Sequence, residues 1–413
     1  MTGAWFSIQF MQEGHSVDIW LMKEYEDHAD ILYGLVPKPF KGKPDFKKYD
    51  VVLFDLTGES KIAENIKSQG IPVIGDCELS GAIEEDRLLG MHVMEECGID
   101  IPPYQEFSDL KEAKKFVQKT NKKYVFKANG GTDIPCASTY VSRSPEDMVR
   151  YMDRLSALVN NAEFILQEIV QGTEISTEGW FNGEDFFCIN STLEEKKFLN
   201  DNKGPNHGCS GNLVWIYDQV NPPFIFREGL GKMKDFLQQH NYRGMIDINT
   251  IVSDTKAYGL EWTPRMGYDA AQCLFSCFEG VGDFIGAVAS GSRPEYNIIS
   301  NYSASVRLTI PPYPTKIKGK HPEGIPIEGI DEDEIPKKCF LYDCCLHDGE
   351  LCTVGISGDV AVPIETGENG DQAWTRVYNK VDKINIPDMQ YRTDLKNTTM
   401  KRYKTLAEQG WLG

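Results

Sequence analysis

The chain has 413 residues, 41% hydrophobic and 25% charged, a balance that suits a globular protein of two to four domains with ample core. Its net charge of −19 argues against nucleic-acid binding, which needs a basic face, and no apolar run approaches the about 20 residues that cross a bilayer. The start, MTGAWFSIQFMQEGH, lacks a basic segment followed by an apolar one, so the expected place is the cytoplasm, with the eleven cysteines reduced and mostly buried.

The opening alternates as α/β units do. The pattern predicts a helix over Ala4–Glu13, a strand at Ser16–Met22 and another at Val51–Phe54. A helix at Ile62–Gln69 and a strand at Ile71–Gly75 complete a small parallel sheet. Helices follow at Asp86–Cys97, Leu110–Thr120 and Pro145–Val159, with an extended stretch at Ile101–Tyr104 and strands at Tyr124–Lys127 and Ala137–Val141. Strands are expected at Phe164–Glu168, Ile175–Phe181 and Phe186–Ser191, a helix at Phe226–His240, and a hairpin pairing Gly244–Val252 with Ala257–Trp262. From about Asp269 the chain reads as Pro-rich short strands ending in a polar helix, Asn397–Gln409. Cys339, Cys344, Cys345 and Cys352, with His347 nearby, do not have C-x2-C spacing and read as buried strand, not a zinc site.

Three stretches carry chemistry. Leu193–Gly211, LEEKKFLNDNKGPNHGCSG, packs two glutamates, three lysines and a Gly-Pro-Asn-His-Gly turn into nineteen residues. It reads as a loop that holds a charged, polyoxygenated ligand, with glycines free to take positive φ. In Tyr124–Gly131, Lys127 ends an apolar strand just before glycines, a fixed cation plus backbone N–H groups for a nucleotide phosphate. Asp247 and Asn249 share one face of a strand, and the hairpin returns Glu261 beside them. Polar groups inside apolar strands are costly unless they bind something, and oxygen donors on adjacent strands suit Mg²⁺ (or Mn²⁺) bridging phosphates.

Together these motifs resemble the phosphoribosylamine–glycine ligase family of ATP-grasp enzymes, from about Ile74 to Tyr268 and more weakly towards both ends. GPNHGCSG is similar to that family's GPNTGGMG, and EEKKF stands where it has a DHKR-like run, Lys196 matching the lysine. VFKANG resembles V-x-K-A-D-G, whereas the following Thr132–Thr139 lacks the family's GKG lid. LEWTPRMG resembles the strand E-x-N-x-R-x-G, with Thr263 in the asparagine position, and Arg87 takes the place of a lysine that reaches ATP. In the family a strand and a glycine-rich turn precede the first helix, and residue 1 falls about where that turn would end.

The resemblance implies an α/β ATP-grasp fold: an N-terminal α/β domain over 1–80, an ATP-binding core over 81–290 with a lid lobe about 122–180, and a mixed C-terminal domain over 291–413. It implies that ATP phosphorylates a carboxylate and an amine displaces the phosphate, giving an amide and ADP. Adenine would lie against Gln167, Glu168 and Val170, the ribose on Glu174, and the phosphates on Lys127 and Arg87. Asp247, Asn249, Glu261 and Thr263 would hold the metal. Arg265 and Lys196 would act at the reacting groups, and Asn202, Lys203, Gly204, Pro205, Asn206 and His207 would hold the acceptor. The expected partners are an amino acid and a phosphorylated amine, and the expected assembly is a monomer or homodimer. Two other readings stay open: a divergent ligase joining another amino acid to another amine, and a nucleotide-binding protein without catalysis. Intact Lys127, Glu174 and Glu261 argue against the last.

Overall fold

A computed structural model of the protein describes residues 3–129, 139–156, 163–267, 269–315, 319 and 321–413. Gly130, Gly131, the 132–138 loop and the end of the helix expected to reach Val159 lie outside the described residues. Among the described residues no helix is long and apolar enough to cross a membrane.

Helix α1 (Ala4–Gln12) buries Trp5 and Phe6 against Phe275, and Trp5 also meets Phe340 edge-on. Strands β1 (Val52–Leu53) and β2 (Val73–Ile74) pair in parallel around α2 (Ser60–Lys67). The strand expected at Ser16–Met22 does not form. The segment makes a single isolated bridge among the described residues, Trp20 with Phe40, and the Phe40 N–H donates to the Ile19 carbonyl at 3.0 Å.

Helices α3 (Glu78–Glu85) and α4 (Arg87–Glu96) lead into the lid lobe, and Asp86 caps α4 by accepting from the Leu89 N–H at 3.1 Å. The lid sheet holds β3 (Tyr104–Phe107), β4 (Tyr124–Ala128), β5 (Thr139–Val141) and β6 (Phe164–Glu168) in the order β3-β6-β4-β5. Helices α5 (Leu110–Thr120) and α6 (Pro145–Leu155) cover one face, capped by Asp109 and Ser144. The lobe thus starts at β3, earlier than residue 122, because β3 pairs with β6 across four residues.

The large sheet is built from β7 (Thr173–Phe181), β8 (Phe186–Leu199), β9 (Lys203–Ile216), β10 (Gly244–Val252) and β11 (Ala257–Thr263). Its order is β11-β10-β7-β8-β9, antiparallel throughout. The segment Leu193–Gly211 is therefore no open loop: it is the two arms of the β8–β9 hairpin. Composition misled because Glu194 and Lys196 lie in a strand and are satisfied by ion pairs, while Glu195 is buried against arginines. Only Asn200–Asn202 turns, with Asp201 and Asn202 at positive φ.

Two helices replace the one expected over Phe226–His240. Helix α7 (Phe224–Glu228) ends at Gly229, whose φ/ψ of −117/−108 leaves the helical region, and α8 (Lys234–Gln239) follows a short 3₁₀ turn. After β11 the chain forms α9 (Ala270–Phe275), β12 (Phe278–Glu279), α10 (Val281–Ser290) and β13 (Asn297–Ile298). Strands β14 (Tyr302–Val306), β15 (Leu308–Thr309) and β16 (Cys339–Leu341) follow, then the hairpin β17 (Cys344–His347) with β18 (Glu350–Thr353), and β19 (Asp359–Gly367). Helices α11 (Gly370–Val381) and α12 (Leu395–Glu408) close the chain. Every residue of α9 is buried, so it carries no amphipathic period for a reader of sequence to detect. Strand β14 pairs with β9, and β19, β15 and β16 continue the same sheet across the boundary expected near residue 290.

Candidate active site

Strand register builds the site. On β10, Asp247 and Asn249 share a face while Ile246 and Ile248 turn the other way into a core with Met94, Leu237 and Trp262. Asn249 lies directly opposite Glu261 on one side and Ser176 on the other, and Ser176 opposite Thr192. Asp247 lies opposite Thr263 and Glu178, and Glu178 opposite Asn190. Two polar rows therefore cross the sheet on one face, about 6–7 Å apart along the strands.

The first row meets the lid. Lys127 is buried at the end of β4, and the Arg87 guanidinium, at the start of α4, donates from Nε to the Ala128 carbonyl at 3.1 Å. Arg87 Nη1 lies 3.7 Å from Glu261 Oε2. Burial, then the Arg87 charge, lowers Lys127 to about 8. Burial would raise Glu261, but Lys196, Lys127 and Arg87 together hold it below its usual value. Lys196 Nζ reaches Glu174 Oε1 at 2.8 Å and Glu194 Oε2 at 3.6 Å, and Asn249 donates to the same Glu174 oxygen at 2.9 Å. Burial opposes ionisation of Glu174, yet Lys196 and Asn249 hold it down at about 2. Burial pushes Glu194 up to about 7 against the pull of Lys196.

At the hinge, Gln167 is buried with its Nε2 unpartnered among the described residues, while Glu168 is tied by Lys122 Nζ at 2.7 Å and by its own N–H to the Pro103 carbonyl at 2.8 Å. Val170 lies in the segment that crosses between the lobes. A Cβ at Gly172 would stand 2.3 Å from the Val252 carbonyl oxygen, so only glycine lets the hinge pass β10 this closely.

The expected acceptor residues lie at the tip and along the second arm of the same hairpin as Lys196. Asn202 accepts from Arg392 Nη1 at 3.0 Å, Lys203 pairs with Asp201 at 3.2 Å, and Gly204, at φ 77°, lets the chain pass Leu199. Pro205 is exposed, and Asn206 pairs with Lys197 in the hairpin. His207 hydrogen-bonds Tyr313 at 2.8 Å and Ser210 at 2.6 Å, and burial pushes it down to about 4. Arg265 Nε donates to Glu84 Oε1 at 2.9 Å. The sequence did not point to Arg402. From α12 its guanidinium donates to the Glu194 carbonyl at 3.1 Å, to Glu195 at 2.9 Å and to the Glu174 carbonyl. Glu178 and Asn190 were also missed, although a charged or amide group inside an apolar strand is the signal that singled out Asp247.

Among the described residues no three His, Cys, Asp or Glu side chains converge on one point. Mg²⁺ does not need such a cage, since one or two carboxylates and the nucleotide phosphates suffice, and Glu261 beside Asn249 supplies hard oxygen donors of that kind. The late cysteines lie in strands, as expected. Cys345 and Cys352 face each other with sulfurs 3.6 Å apart, and the ten described cysteines are free.

Two lobes, a crossing hinge, and a cleft where Lys127 and Arg87 face Glu174 and Glu261 have the form of an ATP-grasp enzyme, an ATP-dependent ligase that forms C–N bonds. Residues 87–268 match the family model of the phosphoribosylglycinamide synthetase ATP-grasp (A) domain, so the chain carries a domain of that type. The phosphoribosylamine–glycine ligase of Leifsonia xyli is 23% identical over 354 residues, spanning 81% of this chain and 80% of that one. The Thermotoga maritima enzyme of the same name is 22% identical over 409 residues, 94% of each chain. Its crystal structure has a TM-score of 0.74 to this fold at 20% identity, covering 95% of this chain and 97% of that chain. The biotin carboxylase domain of Hydrogenobacter thermophilus 2-oxoglutarate carboxylase, in complex with MgADP and bicarbonate, scores 0.62 at 13% identity, covering 98% and 96%.

Proposed function

We propose that the chain joins glycine to 5-phosphoribosylamine, converting ATP to ADP and phosphate and releasing glycinamide ribonucleotide. The observation that carries this reading is the match to ligases of that name over four-fifths or more of both chains. Glycine's carboxylate attacks the γ-phosphorus of ATP, ADP leaves, and the amine then displaces phosphate from the acyl phosphate. The protein's part is positioning and charge neutralisation.

Adenine lies at Gln167, Glu168 and Val170, the ribose on Glu174, and the phosphates between Lys127 and Arg87. Glu261 and Asn249 would hold Mg²⁺, with Thr263 and Asp247 one row behind, and the ion would supply positive charge against that of the transferred group. Arg265 adds positive charge near the acyl phosphate, and Lys196 holds Glu174 ionised. The 202–207 tip borders the acceptor. The reading places the enzyme in the cytoplasm as a monomer or homodimer. ADP release should require glycine and 5-phosphoribosylamine together. Release with a different amino acid, or with none, would move the assignment to another ligase.

Two expectations test the nucleotide site. Glu174→Ala should weaken ATP by about 1–3 kcal/mol, the cost of losing charge-assisted hydrogen bonds, and ATP titration with GTP as control measures it. Unchanged ATP affinity with equal GTP binding would remove Glu174 from the ribose site. Lys127 sets a pH dependence. Its protonated form binds phosphate, and phosphate raises its pKa on binding, so ATP affinity should be flat below about 8 and fall as pH rises above it. Lys127→Arg, always charged, should flatten that fall, and a wild-type affinity equal at the two ends of the range would contradict the assignment.

A further inference from the structure

In the second polar row, Glu178 and Asn190 have no part in the nucleotide site described above. Glu178 is 1% exposed, Asn190 0% and Asp247 7%. Glu178 accepts from the Thr192 hydroxyl through Oε1, while Glu178 Oε2, Asp247 Oδ1 and both amide atoms of Asn190 have no hydrogen-bond partner among the described residues. Buried polar atoms left unpaired are costly, and apolar side chains at these strand positions would fold at least as well. Three side chains from adjacent strands converge there because register sets them opposite one another.

What they offer is specific. Two carboxyls and an amide oxygen are acceptors, and they match a cation that carries several N–H donors, which a primary ammonium does. The row lies two residues along the strands, about 6–7 Å, from Glu261 and Asn249, where the carboxylate must meet the phosphate. One step further, Met245 and Trp180 lie opposite each other, both buried, and close that end with an apolar floor. A small amino acid has the length to span the two polar rows if its carboxylate lies towards Glu261 and its ammonium towards Glu178.

We propose that Glu178, Asp247 and Asn190 form the ammonium subsite for the amino acid, and that the Trp180–Met245 floor restricts it to a small one. This deepens the ligase reading and rests on it, and it moves Asp247 from the metal to the substrate. It also has a chemical use. An amine that stays protonated has no lone pair, so the activated amino acid cannot attack a second acyl phosphate, and only the intended acceptor amine reacts.

The test is calorimetric titration of the full chain, held with Mg²⁺ and a non-hydrolysable ATP analogue, with glycine, acetate and leucine. The wild type should bind glycine at least about tenfold tighter than acetate, which lacks the ammonium, and tighter than leucine. Glu178→Gln and Asp247→Asn keep side-chain volume, and thermal unfolding checks that both variants fold. Each should weaken glycine at least about tenfold while acetate and the nucleotide stay within about twofold. Glycine affinity unchanged in both variants overturns the subsite alone. Loss of nucleotide and Mg²⁺ affinity in Asp247→Asn, with glycine unaffected, overturns it by returning Asp247 to the metal. A wild type that binds no amino acid overturns the ligase reading along with it.

Discussion

Glu261→Ala should lower turnover by about 10²–10³-fold or more while the protein stays folded, because it removes a carboxylate that faces Lys127 and Arg87 across the cleft. Its side chain is 45% exposed, so the change opens no core cavity. The loss should fall on the chemical step, with ATP affinity changed far less, since adenine and ribose contacts lie elsewhere. Rates of ADP formation at saturating Mg²⁺, with circular dichroism on the same sample, measure both. Wild-type turnover by the folded variant would end the metal assignment and leave Glu261 as an ion-pair partner of Arg87.

The largest structural effect is expected at a buried ion cluster. Arg307 is buried, donates twice to Asp269 at 3.1 and 2.7 Å, and pairs with Asp359. Tyr342 donates to the same Asp269 at 2.8 Å. Arg307→Met should destabilise the chain by about 3–5 kcal/mol, because it strands two buried carboxylates without a cation. Urea unfolding gives the number, and a loss under about 1 kcal/mol would show that the two aspartates find compensation elsewhere.

Local signals were the most legible. The helices expected over Asp86–Cys97 and Leu110–Thr120 form as α4 and α5, and alternation on β10 placed Asn249 beside Glu261 before any register was known. What stayed hidden depends on distance in the chain or on pairing. Arg402 reaches Glu174 from more than two hundred residues away, and nothing in a polar helix marks which arginine will do so. The β8–β9 arms looked like a loop because charged residues in a strand are ordinary once a neighbouring strand supplies opposite charges, and that neighbour is invisible in composition. Glu178 and Asn190 became meaningful only when register set them against Asp247.

The joining of β14 to β9 has a consequence for how the molecule comes apart. Five successive residues, Tyr302 to Val306, pair with Trp215 to Gly211, and β19 holds the other edge of β14. The chain on either side of the 291–301 connector is thus laced edge to edge. A single proteolytic cut after the exposed Glu295 should leave two pieces that elute together from a sizing column and part only in denaturant.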